Sequence, residues 1–332
     1  MSNTIRIGIL GCSKAASSAV INPSKEIKHA ELYAVASRDF NRAKTYADKY
    51  GIPRFFNSYQ EMLMCREVDL VYIGLPNSMH AEWIVKAADA NKHILVEKPM
   101  CLNMDEMNEI EYTCKKNRVL LLEGIMTQHH PWQEKIKNII DEGKYGKLKR
   151  ARTQISYQLD RGETGNYRCC QSLGGGAFYD ESAYWLQFIQ YIMGMNPLSF
   201  DGQSLFDGPD HCDWTFRSHM NFCNGIKTEF IASFEMPYES THWLEFECAN
   251  VRISNFFRAS MGNYKMNIDI DDLDGVKKER IVFASQNYYT NQMDFFVKVI
   301  RGNIQNMDIL QSAERIDLMS KIYQAAKAKQ RR

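Results

Sequence analysis

The chain has 332 residues, 45% of them hydrophobic, with 41 Lys plus Arg against 40 Asp plus Glu. That length favours about two domains, each with enough apolar residues for a core, and the balanced charge provides no field to draw in nucleic acid or an anionic membrane. The N-terminal residues form no basic-plus-apolar leader, and no apolar run reaches the roughly 18 residues of a membrane span, so a cytoplasmic protein is expected.

Nine cysteines in a chain of this length do not make a disulfide framework. Cys12, Cys65, Cys101 and Cys114 fall within expected strand–helix units, and Cys169-Cys170 are adjacent, so all are read as free thiols.

Residues 6–10 read as a short buried strand, and Gly11-Cys12-Ser13-Lys14-Ala15-Ala16 as a turn into a helix. This is a degenerate dinucleotide fingerprint. Gly11 meets the need for a tight turn and Ala16 the need for a small residue at the helix–strand contact. Ser13 stands where a second glycine lets the backbone approach a pyrophosphate. The loop would therefore hold its phosphate slightly farther away or use the serine hydroxyl, and the helix N-terminus still offers unpaired amides to an anion. An ordinary strand–helix turn is the alternative.

The next strand, 31–36, ends in Ala36-Ser37-Arg38-Asp39. An NAD-specific site places a carboxylate here for the ribose 2′-hydroxyl. Ser37 can donate a hydrogen bond, Arg38 presents a planar guanidinium suited to a 2′-phosphate, and Arg42 adds charge one helical turn on. NADP(H) is thus favoured over NAD(H), with Asp39 open to a second role as a helix cap.

Strands at 70–75, 93–96 and 119–123 alternate with helical patterns at 41–50, 59–64, 80–90 and 104–117. The alternation predicts a doubly wound parallel sheet over residues 1–125, a Rossmann-type α/β domain. Leu95-Val96-Glu97-Lys98-Pro99 closes one strand at the carboxyl edge, where such sheets bind ligands, and X-Pro bonds are those that adopt cis geometry in sharp fixed turns. Lys98 would then be held near a nicotinamide; a surface lysine in a loop is the other reading.

From about residue 148 the period changes to two, in 151–157, 226–235 and 244–248. Residues 126–332 are therefore expected to form an α+β domain with an open, mostly antiparallel sheet, helices at 178–194 and 291–301, and a last helix from 309. The exposed face of that sheet must be solvated or paired with another subunit, which favours a homodimer or homotetramer.

Leu173-Gly174-Gly175-Gly176 leads into one of these helices, and the glycines would let a ligand approach the backbone. Asp180 and Tyr184 share a face at i, i+4. A phenol can give a proton to a carbonyl oxygen receiving hydride. Its ordinary pKa of about 10 is high for that exchange, and an ammonium such as that of Lys98 would lower it. His129-His130, His211 and His219 lack metal-ligand spacing with a carboxylate, so no metal is expected.

These segments, together with Tyr72-Ile73-Gly74-Leu75-Pro76-Asn77-Ser78-Met79-His80 and Asn291-Gln292-Met293-Asp294-Phe295-Phe296, resemble the Gfo/Idh/MocA family of sugar oxidoreductases over nearly the whole chain. The resemblance implies a Rossmann domain followed by an open-sheet domain that shapes a sugar pocket and often the subunit interface. It implies that Lys98 of Glu97-Lys98-Pro99 is the catalytic lysine, that Asp180 supports it, and that Tyr184 takes the last position of the Asp-x-x-x-His/Tyr motif. It further implies that Leu75, Pro76, Asn77 and His80 lie along the cofactor with Gly11, Cys12 and Glu97. Ser182 departs from the pattern, which usually has glycine there.

Within the family the chain looks most like NDP-hexose 3-ketoreductases and the dihydrodiol/xylose dehydrogenase branch. The loop carrying Arg161, Asn166 and Arg168 would face the substrate, and its arginines could either meet a diphosphate bidentately or be solvated loop charges. Three functions are open: reduction or oxidation of a sugar or sugar nucleotide, dehydrogenation of a free aldose or trans-dihydrodiol, and NADP-dependent regulation without turnover.

Overall fold

The computed structural model describes residues 4–330. Its contacts divide the chain into two units. The first is the stretch up to Met126 together with Tyr288–Ile316; the second is Thr127–Asn287 together with the stretch from Asp317.

In the first unit, strands β1 (Ile5–Leu10), β2 (Ala30–Ala36), β3 (Arg54–Phe56), β4 (Leu70–Ile73), β5 (His93–Glu97) and β6 (Leu121–Gly124) form one sheet. All its pairings are parallel, in the order β3-β2-β1-β4-β5-β6. Ile7, Ile9, Leu10, Leu70, Val71, Ile73, Ile94, Leu95 and Val96 are each 0% exposed, as strands covered on both faces by helices require. The order reverses between β1 and β4, which opens a crevice at their carboxyl ends, the usual place for a ligand in such sheets. The three-residue β3 escaped the periodicity reading because it is too short to show a period.

In the second unit, β7 (Leu148–Ser156), β8 (Ser199–Gln203), β9 (Thr215–Asn221), β10 (Lys227–Ser233), β11 (Glu239–Phe246), β12 (Ala249–Ser254), β13 (Asn267–Asp272) and β14 (Lys278–Val282) form the other sheet, in the order β14-β13-β12-β11-β7-β10-β9-β8. All its pairings are antiparallel except β7 with β10. Helix Ala177–Met193 lies against it: Trp185 stacks on Phe230 at 4.6 Å and Phe178 packs on Phe216 at 4.2 Å.

The sequence places everything after residue 126 in one domain. The structure differs: Tyr288–Ile316 belongs with the parallel sheet. Met293, Phe296, Val297 and Val299 of helix Tyr288–Ile300 are buried with Ile5, Ile7, Val20, Ile21 and Leu70. The apolar face of this helix finds its partner far back in the chain, a relation that local periodicity does not carry. Among the described residues, no helix is long and apolar enough to cross a membrane.

Candidate functional site

The candidate residues fall in two groups, one in each unit. In the first unit Gly11 ends β1 with φ +89°, and a Cβ on it would lie 2.7 Å from Leu75 Cδ2. Only glycine suits that backbone and that close approach. Ser13 Oγ accepts the Ala16 N–H at 3.2 Å and so caps the helix that follows, while the Ser13 carbonyl accepts the Tyr46 hydroxyl at 2.9 Å. Cys12 gives its carbonyl to Arg42 Nη2 at 3.2 Å, which folds that exposed guanidinium back over the turn. Burial pushes the Cys12 thiol up, against Arg42.

At the end of β2, buried Ser37 accepts the Asp39 N–H at 3.2 Å, and Asp39 Oδ1 accepts the Arg42 N–H at 3.0 Å. Asp39 is the N-cap of helix Phe40–Tyr50. The open question about this carboxylate is thereby answered: it holds the helix start, and Arg38 beside it is exposed.

Lys98 follows the last residue of β5 and is 9% exposed; its bond to Pro99 is cis. The Tyr72 hydroxyl donates to Glu97 Oε1 at 2.7 Å. His80, fully buried, sets Nδ1 2.8 Å from the Pro99 carbonyl and Nε2 2.9 Å from the Leu75 carbonyl. Only an imidazolium could donate to both. Burial outweighs the two carbonyls and lowers the His80 pKa, so the neutral ring serves one carbonyl at a time. His80 thus joins the loops after β4 and β5 through their main chains. Pro76 precedes the short turn Asn77–Met79, and Asn77 is 2% exposed.

In the second unit Asp180 is 2% exposed and lies one turn before Tyr184, which is 6% exposed and packs edge-on against Phe257 at 4.7 Å. The Asp180 carboxylate accepts Arg168 Nε at 2.7 Å and Nη2 at 3.1 Å, with the hydroxyls of Tyr157 at 2.8 Å and Tyr167 at 3.3 Å. Burial works against the Arg168 charge, but Asp180 outweighs it and raises the guanidinium pKa. Burial and then the Asp180 charge push the Tyr157 phenol up, so it stays a donor. Tyr157 carries no motif and escapes a reading by spacing, while Tyr167 lies in the same loop as Asn166 and Arg168.

The side chains of Arg161, Asn166 and Arg168 bond to the chain itself. Arg168 presents its fork to Asp180. Arg161 donates to the Asp207 carbonyl at 2.9 Å and to Glu235 Oε2 at 3.0 Å. Asn166 caps the turn Tyr167–Cys169 by accepting the Arg168 N–H at 3.1 Å, and gives its amide to Glu163. The glycine run also serves the chain itself: a Cβ on Gly175 would lie 2.6–2.7 Å from the carbonyls of Tyr167, Arg168 and Cys170. The Gly175 N–H donates to Cys170 and the Gly176 N–H to Arg168. The Arg168 loop approaches Gly175, and that approach aims Arg168 at Asp180, while the Asp213 carboxylate is what lies against Gly176.

The first unit carries a Rossmann-type parallel sheet with a glycine turn at its switch point, and the second carries an open, mostly antiparallel sheet. Residues 5–125 match the model of the oxidoreductase family with an NAD-binding Rossmann fold, and residues 133–254 match that of the Gfo/Idh/MocA C-terminal domain. The chain belongs to the Gfo/Idh/MocA family.

It is 30% identical over 203 residues, 61% of this chain and 60% of the relative, to a dTDP-3,4-didehydro-2,6-dideoxy-alpha-D-glucose 3-reductase of Actinomadura kijaniata. It is 26% identical over 327 residues, 96% of each, to a D-xylose 1-dehydrogenase (NADP(+)) of Haloferax volcanii. The chain spans between about half and three fifths of the length of the curated relatives it matches at 30% identity or more. Its fold matches the crystal structure of the 3-ketoreductase KijD10 from Actinomadura kijaniata, in complex with NADP and TDP-benzene, with a TM-score of 0.89 at 21% identity, over 97% of this chain and 98% of that one.

Proposed function

We propose that the chain is an NADP(H)-dependent oxidoreductase of a sugar hydroxyl or keto group. The observation that carries the cofactor half is the end of β2, where Asp39 is occupied as a cap and exposed Arg38 stands beside buried Ser37. The residues present fit a dinucleotide: Gly11 leaves no Cβ in the turn, and Arg38 and Arg42 supply charge for a 2′-phosphate. Gly11, Cys12, Ser13, Ala16 and the loop from Leu75 to His80 would hold the rest. When bound, the nicotinamide supplies or accepts a hydride.

The chain's own residues handle the proton. Tyr184 gives it to, or takes it from, the substrate oxygen, and Lys98, in the first unit, is the second residue assigned to the proton chemistry. Such assistance is worth roughly 10²–10⁴-fold in rate. Asp180, met by a guanidinium and two hydroxyls, acts as a fixed negative support and not as a base. The D-xylose dehydrogenase and the sugar 3-reductase among its relatives support chemistry of this class.

A second reading concerns the substrate. Arg161 and Arg168 are both engaged by carboxylates of the chain, which favours a free aldose or cyclic diol over a nucleotide sugar. The test is thermal denaturation of the NADP⁺-saturated protein against nucleotide sugars, free aldoses and trans-dihydrodiols, followed by turnover with NADPH and NADH. A ligand at 100 times its dissociation constant adds about 2.7 kcal/mol. Shifts with free sugars or diols alone are expected. Shifts with nucleotide sugars alone overturn the second reading, and NADP(H) binding without turnover on the whole panel would make the chain a regulator.

A further inference from the structure

Glu123, near the end of β6, is 4% exposed and plays no part in the chemistry described above. Its Oε1 accepts the Met100 N–H at 3.0 Å. Its Oε2 accepts the Ser312 hydroxyl at 3.0 Å and Arg315 Nη2 at 2.7 Å, and Arg315 Nη2 also reaches Ser312 Oγ at 2.7 Å. Arg315, itself 6% exposed, lies on helix Ile309–Gln330 within the returning segment that belongs to the first unit.

The location of this cluster is what distinguishes it. Met100 is two residues past Lys98, and the intervening Pro99 gives its carbonyl to His80. The main chain leaving Lys98 is therefore met in both polarities by buried side chains: an N–H into Glu123 and, in the tautomer that donates from Nδ1, a carbonyl onto His80. A buried ion pair is a poor choice for stability alone, since desolvation can exceed the Coulombic gain and apolar residues of like volume often do as well. The groups facing Glu123 from Met100 and Arg315 are both donors, so a carboxylate satisfies each side and a carboxamide cannot.

We infer that Glu123, held from behind by Arg315, is a positioning residue that sets Lys98 through the main chain of Pro99 and Met100. The catalytic weight of this inference rests on the proposed role of Lys98; its geometric content does not.

The test compares wild type, Glu123→Gln and the double variant Glu123→Gln/Arg315→Met. In the single variant the amide must turn its NH₂ toward either Met100 N–H or Arg315. In the double variant it can accept from Met100 and donate to Ser312. Two quantities are read: the rate of acetylation of Lys98 by trace acetic anhydride as a function of pH, by peptide mass spectrometry, and steady-state turnover with NADPH and the substrate found by the panel. Lys92, equally buried and bonded to the carbonyls of Cys65 and Val68, is the internal control.

Glu123→Gln is expected to change Lys98 acetylation about threefold or more and to lower kcat about tenfold, as small misplacements of reacting groups do. Lys92 labelling and the KM for NADPH should stay within about twofold, and the double variant should recover both readouts. Unchanged Lys98 labelling and kcat in a folded Glu123→Gln, or loss without recovery in the double variant, overturns the inference. If Glu123→Gln does not fold, Ser312→Ala replaces it, with a change of about twofold expected and none overturning. Lys98→Ala with full turnover would sink the catalytic reading while a shifted Lys98 labelling in Glu123→Gln would leave the positioning intact; a dead Lys98→Ala with an unaffected Glu123→Gln is the reverse.

Discussion

Lys98 and Asp180 are both nearly buried, at 9% and 2% exposure, yet they are placed by different means. Around Lys98 the bonds of His80 and Glu123 grip the main chain of the two residues that follow it. Around Asp180 the bonds of Arg168, Tyr157 and Tyr167 grip the carboxylate itself. Fixing a residue through its backbone sets where its head group lies while leaving the chemistry of that group to its surroundings. Absorbing a carboxylate in charged and neutral donors stabilises its ionised form and removes it as a proton acceptor. The first arrangement suits a group that takes part in proton transfer, the second a group that supports one.

The largest effect should come from Lys98→Ala. Loss of a general acid–base contribution should lower turnover about 10²–10⁴-fold. NADPH binding, followed by the fluorescence of the reduced nicotinamide, should change only a few fold, and the melting temperature little, because His80 and Glu123 still hold the main chain there. Near-full turnover of both Lys98→Ala and Tyr184→Phe would break the comparison at its root.

Asp180→Asn addresses the other side. The amide cannot accept from both edges of the Arg168 fork and from Tyr157 as well, so a guanidinium is left poorly matched in a largely buried site. Breaking such a pair costs about 3 kcal/mol or more, which urea unfolding would register. Retention of full stability would mean that Arg168 finds solvent when its partner is lost. The carboxylate would then be held for chemistry more than for architecture.

A third carboxylate sharpens the contrast. Asp213 is 0% exposed and holds the start of helix Ala177–Met193 through the Phe178 N–H on Oδ2, at 2.7 Å, and among the described residues no guanidinium pairs with it. Burial pushes its carboxyl up to about 7, against the lowering by backbone amides and the charge of Lys327. An acid whose folded pKa is raised holds a proton in the folded chain that the unfolded chain has already released. Its stability contribution therefore falls as pH rises from about 4 to about 7, by up to about 4 kcal/mol, and stays low above that. Asp213→Asn should flatten the dependence of unfolding free energy on pH over this window, which denaturant titrations at several pH values would show. A wild-type profile that rises with pH over the same interval would mean that the amides outweigh burial.

How much of this was legible follows from distance along the chain. Gly11, Ser37-Arg38 and Lys98-Pro99 sit at strand ends within short motifs, and turn chemistry and strand edges constrain them locally. Asp180 and Tyr184 share a helix face and can be read together. The residues that hold these groups cannot: Tyr157 meets Asp180 across 23 positions, Asp213 meets Phe178 across 35, and Arg315 meets Glu123 across 192. Each such bond is set by the pairing of strands or the return of the last helices, and composition near either partner carries no trace of it. The glycine run shows the same limit. The need for bare backbone at Gly175 and Gly176 can be read from the run, but what comes close is the chain itself: the carbonyls of Tyr167, Arg168 and Cys170 at Gly175 and the Asp213 carboxylate at Gly176.

The smallest effect should come from Arg161→Ala, and it decides what the two arginines of the substrate loop mean. Arg161 is half-exposed and paired with Asp207 and Glu235, which are equally exposed. Exposed pairs of this kind contribute about 0–1 kcal/mol, so stability should hardly change. With a free aldose or diol as substrate, KM should also stay within about twofold, because the guanidinium already has partners and no anion to bind. A rise in KM of about tenfold or more, confined to nucleotide sugars and relieved by salt, would show the arginine leaving its carboxylates for a diphosphate. Arg161 would then serve a ligand, and not its own chain as Arg168 does in the grip of Asp180.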